Sequence, residues 1–255
     1  MAILLKDAIV LLHFSTLLSS VKLYFFIFVL SFSPLLTCAQ TITLSRGKDA
    51  VLQGFSELIL RKAYQEMGIE LQVIHVPIAR SLHLANNGEV DGEVSKISAV
   101  AHRYPNLIKV PVAINHIDIR MFAYNQKILA QNVTHNFARI GCVRGVVLVE
   151  KIINELKVQC NTMNNYQQAI HFLNQNKLDV LVLPLAIGTY FKGIAPQFSA
   201  SHYSESLGNE PLFHYLHKKH RDLVPELTSI LQAMEINIYN KTYKYMFNQT
   251  LPVIQ

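Results

Sequence analysis

Ser95, Lys96, Ser98 and Arg103 fall close together in the chain and carry the groups a small anion needs: two hydroxyls, an ammonium and a guanidinium. The planar fork of an Arg matches a carboxylate with two parallel hydrogen bonds, whereas Lys offers a compact point charge. Arg80, in Val76-Pro-Ile-Ala-Arg80, lies just beyond another apolar run. Arg144 and Gly145 lie in Gly141-Cys-Val-Arg-Gly-Val-Val147 ahead of a helical pattern, where free backbone N–H groups bind anions. Arg46 and Lys48 take comparable places, so the cations favour an anionic or carboxylated small molecule. The alternative is that Arg103 is solvated and Arg80 is a helix-surface residue. Catalytic patterns are missing: there is no Gly-x-Ser-x-Gly, His-Glu-x-x-His, phosphate-cradling glycine loop or dinucleotide fingerprint. No enzymatic activity, cofactor or metal is therefore expected. An enzyme reading would need Glu57, Glu93 or Asp118 as its acid or base. His214-x-x-His217-x-x-His220 sits where a strand enters a loop, which does not turn three imidazoles toward one ion.

These residues need elements to hold them at strand ends. Residues 41–45 read as a strand, and residues 51–67 carry Leu52, Phe55, Leu58 and Ile59 at helical spacing before Gly68. Strand 71–76, helix 78–87 and strand 90–95 follow. Past Pro111 the chain reads as strand at 112–114 and 117–124. A second unit then reads as strand 138–143, helix 146–156, strand 158–160, helix 166–174, strand 179–183 and helix 185–192. Ala85-Asn-Asn-Gly-Glu-Val-Asp91 echoes Leu173-Asn-Gln-Asn-Lys-Leu-Asp179, with each Asp expected to tie down its own turn. A strand at 198–204, a return at 212–216 and helices at 223–238 and 239–247 complete the chain. Alternating strands and helices imply an α/β fold with parallel, doubly wound sheets. Ligands bind such sheets outside the carboxyl ends of the strands.

The 255 residues are 51% hydrophobic, enough for one large or two smaller cores, and the formal charge is +6. There is no basic stripe interleaved with aromatics, so no nucleic-acid partner is expected. Lys22, the apolar run 23–36 and Thr37-Cys38-Ala39 read as a signal peptide over 1–39. A retained anchor or a lipid-modified Cys38 are its alternatives. Export would make Cys142 and Cys160 a candidate disulfide, with two buried thiols as the other reading.

Gly88-Glu-Val-Asp91-Gly92, Ser95-x-x-Ser98, Arg103 and Pro105-Asn-Leu-Ile-Lys-Val-Pro111 together resemble the first lobe of family 3 periplasmic solute-binding proteins, the amino-acid-type class. The likeness runs from about Thr41 to the C-terminus. It implies two doubly wound α/β lobes joined by a two-strand hinge, the type II periplasmic binding protein arrangement. Lobe 1 would comprise 40–116 and 207–255, and lobe 2 would comprise 117–206. The resemblance also implies a periplasmic monomer that takes a small-molecule ligand and serves an inner-membrane transporter or sensor. By the same resemblance Arg103 would bind the ligand's carboxylate, Ser95 and Ser98 would supply hydroxyls, and Gly145 would open the lobe 2 turn. Lys96 and Val146 depart from the family pattern. Pro184 stands where an acidic residue would pair with a ligand's ammonium, which argues against a standard α-amino acid. The rivals are a dehydratase-like enzyme on the same scaffold and a sensing module without transport. The two-lobed reading requires separate halves, and one continuous sheet would contradict it.

Overall fold

The computed structural model describes residues 40–48, 50–130, 139–194, 198 and 202–234. The expected signal peptide and the helix expected at 239–247 lie outside the described residues, as do residues 199–201 of the strand expected at 198–204.

In chain order the first half contains β1 (Thr41–Gly47), α1 (Val51–Glu66), β2 (Glu70–Val76), α2 (Ile78–Asn86), β3 (Gly92–Ile97) and the short α3 (Val100–Arg103). Strand β4 (Leu107–Ala123) leads through α4 (Gln126–Ala130) to β5 (Ile140–Val143), α5 (Val147–Leu156), β6 (Asn161–Met163), α6 (Tyr166–Asn174), β7 (Val180–Pro184) and α7 (Leu185–Ile194). Strands β8 (His202–Tyr203) and β9 (Gly208–His217), a 3₁₀ helix (Lys218–Leu223) and α8 (Val224–Ala233) complete the described fold. Helix α1 forms because Leu52, Ser56, Ile59, Leu60 and Ala63 repeat at three- and four-residue spacing and all are buried. Gly68, at φ +69°, supplies the left-handed turn that ends it.

Strand β1 pairs in parallel with β2 and β3, and β5 pairs in parallel with β6 and β7. Strands β4 and β9 run antiparallel to their neighbours and join the two sets. The hydrogen-bonded ladder is continuous, in the order β2-β1-β3-β9-β4-β7-β5-β6, which corrects the expectation of two detached sheets. The reason is the length of β4, whose 17 residues reach about 56 Å at the usual strand rise. Partners of β3 on β9 stop at Leu212, and partners of β7 on β4 begin at Ile119. Between those limits only His116–Asp118 and Asn209–Pro211 run side by side. The two α/β halves are thus joined by a two-stranded ribbon, so the division into halves survives inside one ladder.

Pro111 does not interrupt β4. Its register against β9 shifts between Lys109 and Ala113, so the proline falls in a bulge where its missing N–H breaks no ladder bond. Strand β6 starts at Asn161, not at Val158 as expected, because Lys157 adopts φ 55° and Val158 N–H donates to Ile153 O. That left-handed helix end consumes the residues read as strand.

One apolar core, including Ile42, Leu44, Leu60, Tyr64, Ile114 and Leu227, belongs to the first half. The other runs from Leu52, Ile78 and Leu82 across to Leu148, Leu183 and Ile187, so the halves meet through apolar contact. Among the described residues no helix is long and apolar enough to cross a membrane.

Candidate functional site

A cavity of about 60 Å³ lies between the halves, at the carboxyl ends of β3 and β5 and beside the ribbon. The first half contributes Gln53 from α1, Ile78 from α2, and Ser95, Lys96 and Ile97 from β3. The second contributes Gly145 to Leu148, Tyr166, Pro184 and Ile187, while Ile117 and Leu212 come from the ribbon strands. Gly145 has φ +85°, and a Cβ there would meet Ala79 N at 2.5 Å. The β5–α5 turn therefore closes directly on the backbone of α2, an approach that only glycine permits.

Beneath the cavity lies a buried polar layer. Ser95 Oγ donates to Ser56 Oγ at 3.0 Å, and Gln53 Nε2 donates to Ser95 O at 2.8 Å and to Glu93 Oε1. Glu93 is wholly buried, and Lys96 Nζ stands 3.5 Å from its Oε1. Its Oε2 meets a hydroxyl that several acceptors share. Ser45 Oγ is 2.9 Å from Ser81 O, 3.0 Å from Glu93 Oε2 and 3.3 Å from Gly92 O, and it shares one hydrogen among them. Ser81 Oγ in turn donates to Ile78 O at 3.1 Å. Burial raises the Glu93 carboxyl above the usual carboxylate range, against the opposing pull of Lys96, Gln53, Ser45 and Ser81. Lys96 is therefore a buried cation whose nearest carboxyl oxygen is shared with Gln53.

A second cavity, of about 370 Å³, opens above β5 and α5. Arg103 reaches it from α3, with Arg144, Glu150, Asn154 and Thr162 around it, and the bonded sulfurs of Cys142 and Cys160 in its wall. Glu150 links the halves here: its Oε1 accepts from Gly145 N at 2.9 Å, and its Oε2 lies 3.6 Å from Arg103. The Arg103 side chain is 61% exposed, so this ion pair contributes at most about 1 kcal/mol.

The anion-binding set expected from the sequence is therefore divided. Ser95, Lys96 and Gly145 border the inner cavity, and Arg103 and Arg144 border the outer one. Ser98 instead accepts from Lys109 Nζ at 3.1 Å, and Arg80 is exposed. Gln53 and Glu150 were not anticipated. A glutamine in the buried stripe of α1 is a readable signal for the first, whereas a glutamate in a helix first turn looks like any surface acid. Of the three acids an enzyme would need, Glu57 is tied to Arg46 and Arg61, and Asp118 to Arg120 and Ser206. Glu93 sits behind Gln53 and Lys96. The three histidines have separate partners: His214 bonds Tyr64, His217 accepts from Lys219 N–H, and His220 bonds Asp91.

Sequence comparison finds no matching family model and no matching curated protein. Solved structures do match. An amino acid ABC transporter substrate-binding protein from Streptococcus pneumoniae, bound to L-arginine, is 12% identical with a TM-score of 0.68, covering 82% of this chain and 95% of that one. A histidine kinase sensor domain with similarity to periplasmic binding proteins is 13% identical with a TM-score of 0.67, covering 85% and 98%. This chain has the type II periplasmic binding protein fold. An ancestral amino-acid-binding protein, precursor of cyclohexadienyl dehydratase, shares that binding-protein fold at 14% identity and a TM-score of 0.65, covering 82% and 96%. In such a fold the inner cavity occupies the cleft between the lobes, where β4 and β9 cross.

Proposed function

We propose that this protein captures a small carboxylated solute in the interlobe cleft and closes on it by bending at the β4–β9 ribbon. The lobes would be 40–116 with 207–255, and 117–206. The observation that carries the reading is the cavity itself: one wall brings Ser95 and the buried Lys96, and the facing wall brings Gly145 and the start of α5. Closing a cleft about a ligand by a hinge of a few residues is a common way to couple binding to a change of shape. Arg103 and Glu150 face each other from opposite halves at the rim, and we assign them as the contact that registers closure, with Arg144 beside them.

Binding is favoured over catalysis because, among the described residues, no acidic side chain lines the cavity. Kinship in fold with a dehydratase precursor keeps the enzyme reading worth testing. Delivery to an inner-membrane transporter or a sensor, export to the periplasm and a monomeric state complete the proposal. The matching of both a transporter substrate-binding protein and a sensor domain supports the first of these.

Thermal-shift screening of solutes beside a product assay tests it. A bound solute at 100 times its Kd stabilises the fold by about 2.7 kcal/mol. The expected result is a clear rise in Tm with the solute recovered intact. Recovery of a converted product would overturn the binder reading in favour of an enzyme.

A further inference from the structure

Resting on the cleft as the binding site, we propose that its occupant is a short monocarboxylate with an apolar tail and no ammonium group, whose head is held by Lys96. The walls select the tail. Leu52, Ile97, Ile117, Leu148, Ile187 and Leu212 all face the cavity, and they reward apolar surface taken from water.

The charge selects the head. Lys96 is 8% exposed, and the carboxyl oxygen nearest it, Glu93 Oε1, already accepts from Gln53. At 3.5 Å the ammonium is beyond ordinary hydrogen-bond distance from that oxygen. A buried cation whose one carboxyl neighbour is shared gains from a second anionic partner, and a ligand carboxylate supplies one. Across the cavity, Val146 precedes α5 with no side-chain cap, and Val147 and Leu148 of its first turn border the same space, so the positive end of the helix complements the same anion.

The lining also disfavours a second positive charge. Among the described residues that border the cavity none is acidic, so a ligand ammonium would meet Lys96 and no partner. Valine and isovalerate differ only by that ammonium, and isovaleramide keeps the tail while losing the charge. The three form a direct test by calorimetry on the purified full chain. Isovalerate is expected to bind about tenfold or more tightly than either of the others, a preference of at least about 1.4 kcal/mol. In Lys96→Met the order is expected to invert, with isovaleramide bound better than isovalerate, which a merely structural role for Lys96 would not produce. Lys96→Arg, which keeps the charge, is expected to retain the wild-type order should Lys96→Met fail to fold.

Wild-type preference for valine or isovaleramide, or no binding of isovalerate, overturns the inference. The solute-binding reading is judged separately, by whether any other solute in the thermal-shift screen binds in the cleft.

Discussion

At the scale of single residues, His214 shows how a buried polar group is made tolerable. Its Nδ1 lies 2.9 Å from Glu93 O, so it must carry the hydrogen, and Nε2 accepts from the Tyr64 hydroxyl at 2.9 Å. The neutral ring is fully satisfied, and burial pushes its pKa down to about 4. A histidine whose folded pKa is depressed contributes stability that is complete above its unfolded value and lost as pH falls. We expect the unfolding free energy to drop by roughly 3 kcal/mol between pH 6.5 and 4. His214→Gln is expected to flatten that dependence in urea titrations, and an unchanged slope would contradict the assignment. Side-chain types were readable in the sequence, but their partners were not. Lys96 and Arg103 read as one anion clamp, yet β3 buries Lys96 beside Glu93 while α3 carries Arg103 out to the rim. Spacing along a chain does not report which way a strand end and a short helix turn their side chains.

At the scale of elements, periodicity located most helices and strands, and the errors have local causes. The left-handed Lys157 delays β6, and the bulge around Pro111 lets β4 continue where proline usually ends a strand. The two Asp residues expected to tie their own turns bond farther afield. Asp179 pairs with Arg139, and Asp91 joins three elements. Its Oδ2 accepts from Thr43 N at 2.8 Å, and its Oδ1 lies 2.7 Å from both Lys219 Nζ and His220 Nε2. Partial burial pushes the Asp91 carboxyl up, but the bonds from Lys219, Thr43 and His220 outweigh it and hold the carboxyl below its ordinary range. This knot fastens the returning 3₁₀ helix to β1 and β3. Asp91→Ala is expected to cost about 1–3 kcal/mol by denaturant unfolding at neutral pH. Its contribution, stabilising above the unfolded pKa, is lost as pH falls through the acid range. A change below about 0.5 kcal/mol would mean that the return is held by packing alone.

At the scale of the whole molecule, the alternation of strand and helix made the α/β class legible, and a chain that leaves one half and returns to it made two crossings legible. The continuity of the sheet was not, because two strands crossing between lobes look the same in sequence whether or not they bond to each other. That pairing is what turns two linkers into one ribbon and sets the cavity beside it. The sharpest test of the account is a crystal structure of the protein with isovalerate. We expect the carboxylate within hydrogen-bond distance of Lys96 Nζ and facing the first turn of α5, with the tail among Leu52, Ile97 and Leu148 and the lobes shut. The ligand lodged on Arg103 and Arg144 in the outer cavity, with the interlobe cleft empty, would contradict the account.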